Sequence, residues 1–447
     1  MSSKYLPASN PVKSFWLTAE VDFKDLRSTE ELPAEADIVI VGSGYAGSTM
    51  AYYLMQEQFS GSMVMLEARD VCTGATARNG GHLKPSLYYS HKSWKHRYGE
   101  KGAAEIVNFE HAHLKAVKEI IEQEKIDCDF VLTRSCDVHL TKTAEQDCID
   151  NYYDMMRNPY ITCKHDTQIL FGEAAKNISH VVDSNVCVTF TAGQLWPYKL
   201  MTSLLRKCLE KGLNLQTNTP VLGTEKRAGK WLVKTSRGTI LAKKVVFATN
   251  AYTASVEPKF ENKIVPIKGM CSHITPENRP AHLNNTYGIR YDGADQDYLI
   301  NRPDGSVIVG GAKKHIFPFK NLFYNVVDDS TLVPGSERYF DGYMKRFHTW
   351  DTTKATTDYV WSGILGYTDD SFPYVGEMPH EEGKFVIAGF HGHGMPRVLL
   401  SSKALAKAVL GKDKNLAIPS AFKLSEQRLK QTNNRILQSL GTPEAKL

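Results

Sequence analysis

The 447-residue sequence has no apolar run that approaches the length needed to cross a bilayer, which argues against a membrane-spanning protein. It also has no cluster of lysines and arginines. Its net charge of +5 is spread along the chain, so no nucleic-acid partner is expected. The N-terminal region carries Lys, Glu and Asp without an apolar stretch, which is not the pattern of a secretory signal.

The eight cysteines show neither the spacing of a metal site nor that of a disulfide framework. We therefore expect no metal site, and we expect the thiols to be reduced, as in an intracellular compartment. The sequence contains neither an internal repeat nor a low-complexity tract. Its hydrophobic fraction of 42% and charged fraction of 23% are typical of a globular protein. The length exceeds one ordinary core and therefore predicts two domains, or one domain with a large insertion.

A glycine motif near the N-terminus is the most informative feature that is present. The apolar run 37–41 reads as a strand, and Gly42, Gly44 and Gly47 follow it at the start of a helix-forming segment. A second apolar strand then ends at Glu67. Strand, glycine turn, helix, strand and acid form the context of a dinucleotide-binding loop, in which phosphates meet the helix N-terminus. A plain strand–turn–helix is the alternative.

A second glycine loop occurs near the other end of the chain. The strand 384–389 leads into the loop 390–395, which contains two histidines, and a helix follows over 397–410. We expect both helix N-termini to face one ligand, with the second pointing its positive end at another part of the same cofactor. A structural glycine turn is the alternative for this loop.

Together these segments resemble the FAD-dependent oxidoreductases of the D-amino-acid oxidase superfamily, which includes glycine oxidase and monomeric sarcosine oxidase. The loop 78–82, Arg-Asn-Gly-Gly-His, looks like the branch that oxidises amines such as γ-glutamylputrescine, and like fungal relatives. The resemblance covers residues 35–412. Its motifs are Gly42–Gly47 with Glu67, the loop 74–82, the strand 245–250, and the C-terminal runs 366–376 and 389–395.

The resemblance implies an α/β fold, with a Rossmann-like FAD-binding domain and an α+β second domain built around a mixed sheet that lies over the flavin. Each domain is assembled from separate parts of the chain. The implied division is an N-terminal arm over 1–34, an FAD-binding domain over 35–84, 191–255 and 356–411, a substrate domain over 85–190 and 256–355, and a C-terminal tail over 412–447.

FAD is the cofactor that the resemblance implies, and we expect it to be bound non-covalently. The positions where other branches attach flavin hold Arg78 and Leu365 here. The residues expected to bind FAD are Gly42, Gly44, Tyr45, Ala46, Gly47, Glu67, Ala68, Arg69, Thr76, Arg78, Asn79, Gly80, Gly81, Val221, Ala248, Thr249, Gly389, Gly392, His393, Gly394 and Met395.

The implied reaction is oxidation of an amine or amino acid by hydride transfer to the flavin, followed by hydrolysis of the imine and reoxidation by O2 to give hydrogen peroxide. Ile308 stands where sarcosine-type oxidases have the lysine implicated in oxygen activation. A dehydrogenase that uses another electron acceptor and a non-catalytic flavin-binding protein are therefore the alternatives.

The candidate catalytic residues come from four segments. Tyr298 and Arg302 share one face of a strand that resembles the family's active-site strand. Arg302 is a candidate to hold a substrate carboxylate, with a hairpin salt bridge as the equal alternative. Lys268 is a candidate near the flavin, with a solvated lysine as the alternative. His82 and His391 flank the two flavin loops, and structural histidines are the alternative for both.

The last three residues, Ala445-Lys446-Leu447, resemble the peroxisomal address that an import receptor reads. A peroxide-producing oxidase suits that compartment. The sequence therefore predicts a peroxisomal protein, with a cytoplasmic location as the alternative.

Overall fold

The computed structural model describes residues 5–278, 283–293, 295–350 and 354–438. Seventeen strands and ten α-helices are described within these ranges. The strands are β1 (Glu35–Val41), β2 (Met63–Leu66), β3 (His82–Leu83), β4 (Val131–His139), β5 (Gln168–Phe171), β6 (Val186–Gln194), β7 (Asn214–Gln216), β8 (Val221–Arg227), β9 (Lys230–Thr235), β10 (Gly238–Phe247), β11 (Ile264–Pro276), β12 (Asn285–Arg290), β13 (Gln296–Asn301), β14 (Val307–Gly311), β15 (Ala355–Thr368), β16 (Tyr374–Glu377) and β17 (Lys384–Ala388).

The helices are α1 (Tyr45–Gln56), α2 (His91–Glu124), α3 (Lys142–Arg157), α4 (Gly172–Ser179), α5 (Pro197–Glu210), α6 (Lys313–Ile316), α7 (Ser336–Tyr339), α8 (Val398–Val409), α9 (Glu426–Lys430) and α10 (Arg435–Gln438). Short 3₁₀ helices connect several of them. Non-helical backbone at Gly99, with φ of 73°, interrupts α2. Among the described residues, no helix has the length and apolarity to cross a membrane.

The first sheet has eight strands in the order β16-β17-β10-β1-β2-β7, with β9 paired to β10 and β8 paired to β9. Its centre is parallel, because β10 pairs with β1 and β17, and β1 pairs with β2, all in the same direction. β1 is a buried aliphatic strand that is exposed only at its first residue, as a strand covered on both faces must be. This sheet is the Rossmann-like unit that the sequence predicted.

The second sheet has nine strands in the order β15-β11-β14-β13-β12-β4-β6-β3, with β5 paired to β6. Most pairs are antiparallel, while β12 and β4 run parallel, so the sheet is mixed. One face packs toward α2, α5 and the first sheet, and the other packs on the segment 316–350. The predicted fold class, a Rossmann-like unit beside a mixed sheet, is confirmed.

Strand pairing differs from the predicted division of the chain at three places. β3, which was expected in the FAD-binding domain, pairs with β6 of the second sheet. β15 pairs along its whole length with β11, so residues 356–368, expected in the FAD-binding domain, belong to the second sheet. β6 continues to Gln194 in register with β4, beyond the expected boundary at residue 190. All three differences arise from pairing partners far away in the chain, which a local pattern cannot reveal.

Candidate active site

The N-terminal glycine turn joins the end of β1 to the start of α1. Gly42 has φ of +100°, a conformation that a side chain rarely adopts. A Cβ added to Gly47 would lie 1.8 Å from the carbonyl oxygen of Gly42, so only glycine lets the helix cross the turn this closely. Gly44 is the N-cap of α1 and offers no side chain to occupy the helix N-terminus. The Tyr45 amide donates to the Thr76 hydroxyl at 2.8 Å, and the turn leaves the rest of the helix N-terminus open to an anionic group.

Glu67 follows β2 and lies at the edge of the same turn. One carboxylate oxygen accepts hydrogen bonds from the Ser43 amide at 2.9 Å and the Ser43 hydroxyl at 2.7 Å, and the other accepts the Arg69 amide at 3.0 Å. These bonds fix the acid beside the glycine turn. A carboxylate held in this way can accept further hydrogen bonds from ribose hydroxyls.

The second glycine loop leaves β17 and leads into α8. Gly389 has φ of +75°, and its amide and that of Phe390 donate to the side-chain oxygen of Asn250 at 3.1 and 3.2 Å. Asn250 follows β10, which lies between β1 and β17. This contact places the second loop next to the first, at the carboxyl ends of the parallel strands, where such folds bind ligands.

A buried carboxylate ties the second loop to α2. Glu110 accepts hydrogen bonds from the Arg397 Nε at 2.7 Å and the Ser86 amide at 2.7 Å, and its Oε2 lies 2.8 Å from His393 Nε2. Burial acts to raise the pKa of Glu110, but Arg397 and His393 outweigh it and bring the pKa to about 2. Glu110 is therefore an anion that holds the loop in place.

A cavity of about 1230 Å³, counted to its open mouth, lies between the two loops. The predicted cofactor residues that line it are Gly42, Gly44, Tyr45, Ala46, Glu67, Ala68, Arg69, Thr76, Asn79, Val221, Ala248, Thr249, Gly392, Gly394 and Met395. The structure thus brings both glycine loops to one cavity.

The predicted cofactor residues that do not line this cavity are Gly47, Arg78, Gly80, Gly81, Gly389 and His393. Gly47 and Gly389 shape the two turns, and His393 bonds to Glu110. A Cβ on Gly80 would lie 2.3 Å from the Tyr298 ring, and one on Gly81 would lie 2.7 Å from the Leu195 carbonyl oxygen. These glycines let the loop pack closely against its neighbours.

Arg78 points away from the cavity, contrary to the expectation that it contacts flavin. Its guanidinium donates to the backbone oxygens of Thr73 at 2.9 Å and Ser362 at 2.8 Å, and its Nε lies 3.4 Å from the Asp329 carboxylate. The side chain is buried, and a guanidinium with these partners stabilises the loop. Leu365 lines the cavity, and an aliphatic side chain offers no atom for a covalent bond to flavin.

Several cavity residues were not identified from the sequence. Leu6 and Pro7 come from the N-terminal arm, whose composition gives no sign of a ligand. Tyr252 and Ser255 lie in the 3₁₀ helix Asn250–Ser255, directly after the strand that carries one of the family motifs. The unpredicted lining residues are Leu6, Pro7, Val41, Leu66, Asn250, Tyr252, Ser255, Val256, Ile364, Leu365, Phe390 and Val398.

His82 and Tyr298 meet on the face of the second sheet that is turned toward the loops. Their rings pack edge to face with centroids 5.3 Å apart. His82 Nδ1 lies 2.6 Å from the Thr286 hydroxyl, and the Tyr298 hydroxyl lies 3.2 Å from the Cys271 sulfur. Burial holds the pKa of His82 well below its usual range, so this imidazole is neutral near pH 7.

His391 occupies a left-handed backbone position, with φ of +54°, in the second glycine loop. Its Nδ1 accepts the Thr368 amide at 3.1 Å, so the ring proton of the neutral imidazole is on Nε2. The ring packs 4.3 Å from that of Tyr367. Burial is the main cause that lowers the pKa of His391 to about 3. His391 is therefore a neutral donor near pH 7.

Arg302 forms the hairpin salt bridge, and its guanidinium is therefore not available to hold a substrate carboxylate. Its guanidinium lies 3.2 Å from Asp304 in the turn and 3.3 Å from Asp129. It also stacks over Phe15 and Trp196 at 4.8 and 4.6 Å. With only 6% of the residue exposed, the charge is fully used by these partners.

Lys268 is buried, contrary to the solvated alternative. Its ammonium donates to the backbone oxygen and to the hydroxyl of Thr331, both at 3.1 Å. Burial lowers its pKa, while Asp328 and Asp329 oppose that change. Lys268 is not among the residues that line the cavity. It ties β11 to the loop that carries Asp329.

A cationic cluster on the same sheet face was missed from the sequence. Lys84 and Arg290 both contact Asp137, Arg290 at 3.3 Å, and the Tyr88 hydroxyl donates to the same carboxylate at 3.1 Å. Asp137, Gly288 and Tyr298 are aligned across three neighbouring strands, which places the cluster beside Tyr298. Two cations and one anion leave an excess positive charge there. Lys84 and Arg290 are 206 positions apart in the sequence and come together only through sheet pairing, so no local signal marks the cluster.

The polar groups at the cavity fit FAD. An open helix N-terminus and an acid adjoin the cavity, and the Tyr252 hydroxyl on its wall is buried without a hydrogen-bond partner in the described chain. Burial raises the pKa of Tyr252, so the phenol keeps its proton and can donate. By contrast, no group of three or more His, Cys, Asp or Glu among the described residues could hold a metal ion.

Known proteins are similar to this chain over most of its length. Probable oxidoreductase OrdL from Haemophilus influenzae is 22% identical over 432 residues, covering 91% of this chain and 89% of its own. Gamma-glutamylputrescine oxidoreductase from Escherichia coli is 23% identical, covering 84% of each chain. The solved structure of L-amino acid deaminase from Proteus myxofaciens aligns with a TM-score of 0.70 at 15% identity, covering 95% of this chain and 98% of that one.

Glycine oxidase from Geobacillus kaustophilus aligns with a TM-score of 0.65 at 19% identity, covering 88% of this chain and 99% of that one. These solved structures support the fold. A family model described as DAO, FAD dependent oxidoreductase, matches residues 37–408, which is most of the sequence. The chain therefore belongs to the DAO family of FAD-dependent oxidoreductases.

Proposed function

We propose that this protein oxidises the carbon–nitrogen bond of an amine or an amino acid. When bound, FAD would supply the hydride acceptor, and its reoxidation by O2 with two protons would give hydrogen peroxide. The substrate loses a hydride from its carbon and a proton from its nitrogen. Water then hydrolyses the imine to a carbonyl compound and ammonia or a smaller amine.

The observation that carries this proposal is the convergence of both glycine loops on one cavity beside the mixed sheet. One loop suits the pyrophosphate and the other suits the flavin end. Relatives whose names state amine or amino-acid substrates, including gamma-glutamylputrescine oxidoreductase, glycine oxidase and L-amino acid deaminase, support the donor class.

Neutral polar groups lie near this cavity on the sheet face, at His82, and in the second glycine loop, at His391. His82 and His391 are uncharged near pH 7 because burial lowers both pKa values. Neutral imidazoles do not repel a cationic amine, and the ring of Tyr298 provides an apolar surface next to His82. These groups position a substrate and exclude water, which is the main requirement for hydride transfer to a cofactor.

Electrostatics favour an amine that also carries an acidic group. The cluster of Lys84, Arg290 and Asp137 has excess positive charge and lies beside Tyr298 on the same face. This charge attracts a carboxylate and repels a polycation. We therefore rank amino acids and acyl polyamines with a free carboxylate ahead of unmodified polyamines.

The residue in β14 at the oxygen-activating position bears on the electron acceptor. Ile308 is fully buried in β14 and offers no charge to assist oxygen. A dehydrogenase that reduces another acceptor therefore remains the second candidate, and a non-catalytic flavin-binding protein is the third.

Anaerobic mixing with a substrate panel tests all three candidates. The purified holoprotein is mixed with amino acids, N-methyl amino acids, primary amines and polyamines while the visible flavin absorbance is followed. Bleaching by one class, followed by recovery and peroxide formation on admitting O2, supports the oxidase. Bleaching without peroxide indicates the dehydrogenase, and no bleaching by any compound contradicts both enzymes.

We also propose a peroxisomal location. The tripeptide Ala445-Lys446-Leu447 lies outside the described residues, and the proposal rests on its sequence and on peroxide as the product. Expression of a fluorescent fusion with a free C-terminus, with and without the tripeptide, tests it. A cytoplasmic signal from the intact fusion would contradict it.

A further inference from the structure

The segment 5–16, which we name the N-terminal strap, crosses one end of the cofactor cavity. Leu6 and Pro7 of the strap line the cavity together with Glu67 and Arg69. The family match begins at residue 37, so the strap lies outside the part of the chain that relatives share through the family model. This wall of the cavity therefore belongs to the chain's own N-terminal arm.

Two arginines from the cofactor loop hold the middle of the strap. Arg69 donates to the Ala8 carbonyl oxygen at 3.1 Å, and Arg78 donates to the Val12 carbonyl oxygen at 2.8 Å. Asp329 lies 2.9 Å from Arg69, and its own carbonyl oxygen accepts the Val12 amide at 2.8 Å. Hydrogen bonds from charged donors are stronger than neutral ones, so this attachment is firm.

Aromatic packing anchors the C-terminal end of the strap. Trp16 is fully buried, and its indole N–H donates to the Asn79 carbonyl oxygen at 2.6 Å. Phe15 stacks on His273 with ring centroids 3.8 Å apart, and the Arg302 guanidinium lies over the same Phe15 ring. Arg302, which is not free for substrate, thus helps to fix the strap.

The N-terminal end of the strap is attached on the opposite side of the cavity. The Tyr5 hydroxyl donates to Glu261 at 3.1 Å, just after the 3₁₀ helix Pro258–Phe260. The strap therefore runs from Glu261 past Arg69 to Asn79. Glu67, the acid that suits a ribose, lies two residues before Arg69, so the strap covers the cavity at its adenosine end.

We propose that the N-terminal strap is a wall of the FAD site and that FAD retention depends on its docking. Arg69 and Asn79 line the cavity and also bind the strap, so the same loop holds both cofactor and strap. A dinucleotide seated in the cavity cannot leave past Leu6 and Pro7 until the strap detaches. This inference rests on FAD binding by the family and not on the identity of the amine substrate.

Release of FAD from matched variants of the full-length holoprotein tests the proposal. One variant lacks residues 2–8, and a second carries Leu6→Gly and Pro7→Gly at unchanged length. The control carries Ser9→Ala and Asn10→Ala, which change exposed strap residues outside the cavity wall. The return of FAD fluorescence on dilution gives the release rate, and titration of the apoprotein with FAD gives the Kd.

We expect FAD release to be at least about tenfold faster in both variants and unchanged in the control. The reason is that loss of the apolar contact made by the Leu6 and Pro7 side chains weakens binding by about a factor of ten. FAD should also slow trypsin cleavage at the exposed Lys13 in the wild type but not in the glycine variant. If the deletion variant does not fold, the glycine variant decides the result.

Release rates within about twofold of wild type in the glycine variant, with no protection of Lys13, would overturn the strap proposal. That result differs from the one that would contradict the proposed function, in which the protein takes up FAD but no amine reduces it. A wild-type chain that takes up no FAD would overturn both.

Discussion

Replacing the buried Glu110 by glutamine removes the only negative charge described as contacting Arg397. Glu110 is 0% exposed and Arg397 is 3% exposed, so water cannot replace the lost partner. The glutamine side chain has nearly the same shape, and its carbonyl oxygen can still accept one hydrogen bond. The substitution therefore tests charge and not packing.

Two independent considerations give the magnitude. Breaking a buried ion pair by removing one partner costs about 3–5 kcal/mol. A Glu110 pKa of about 2 in place of 4.5 corresponds to about 3 kcal/mol of stability at neutral pH. We therefore expect Glu110→Gln to lower the free energy of unfolding by about 3 kcal/mol, and to loosen the loop that contains Gly392, Gly394 and Met395.

The pH dependence has a definite sign. The folded pKa of Glu110 lies below its unfolded value, so the contribution is complete above about pH 4.5 and is lost as the pH falls toward 2. Wild type and Glu110→Gln should therefore differ most near neutral pH and converge in acid.

Urea unfolding of the holoprotein, followed by circular dichroism and by flavin fluorescence, measures this difference. Glu122→Gln is the matched control, because Glu122 lies on the same helix and its side chain is 59% exposed in a surface pair with Lys118. We expect that control to change stability by at most about 0.5 kcal/mol. Equal stability of the two variants at pH 7 would refute the reasoning.

Three further predictions concern the loops and the sheet face. Gly47→Ala should abolish FAD uptake because its Cβ would lie 1.8 Å from a backbone oxygen, while Gly212→Ala, which does not line the cavity and has no atom within 4 Å of its Cβ, should retain FAD; the ratio of flavin to protein absorbance checks both. Arg302→Met should lower stability by about 3 kcal/mol without changing the KM for the amine, and a KM raised more than about tenfold would restore a substrate role. Flavin reduction by substrate should show no ionisation of His391 between about pH 5 and 8, since its pKa is about 3; an apparent pKa in that range that disappears in His391→Asn would contradict this.

The sequence was most informative where contacts are local. The turn from β1 through Gly42 to α1 and Glu67 occupies one continuous stretch, and each residue type has a direct steric or electrostatic reason. The hairpin of β13 and β14 was equally legible, because Asp304 and Gly305 form its turn and Gly305 adopts φ of +90°. The Arg302–Asp304 salt bridge, two residues apart, was visible as one of two alternatives.

Contacts between distant segments were not predictable in this way. Asp129 reaches Arg302 across 173 residues, and Glu110 reaches Arg397 across 287. Arg78 was assigned to flavin because it lies in a flavin-binding loop, but a side chain on a loop can point to either side. The structure directs it to Ser362 and Asp329. Leu6 and Pro7 carry no ligand signal at all, because their role arises from docking of the arm.

The pairing order of the first sheet also constrains how the chain is made. β10 lies between β1 and β17, so its partners come from residues about two hundred positions earlier and from Lys384–Ala388 near the end of the chain. β9 covers residues 238–242 of the β10 edge that faces β17, so during translation residues 245–247 stay unpaired on that edge until nearly all of the polypeptide has left the ribosome. An open strand edge invites pairing with other chains. The nascent protein is consequently most vulnerable to aggregation late in its synthesis, when a chaperone would protect it best.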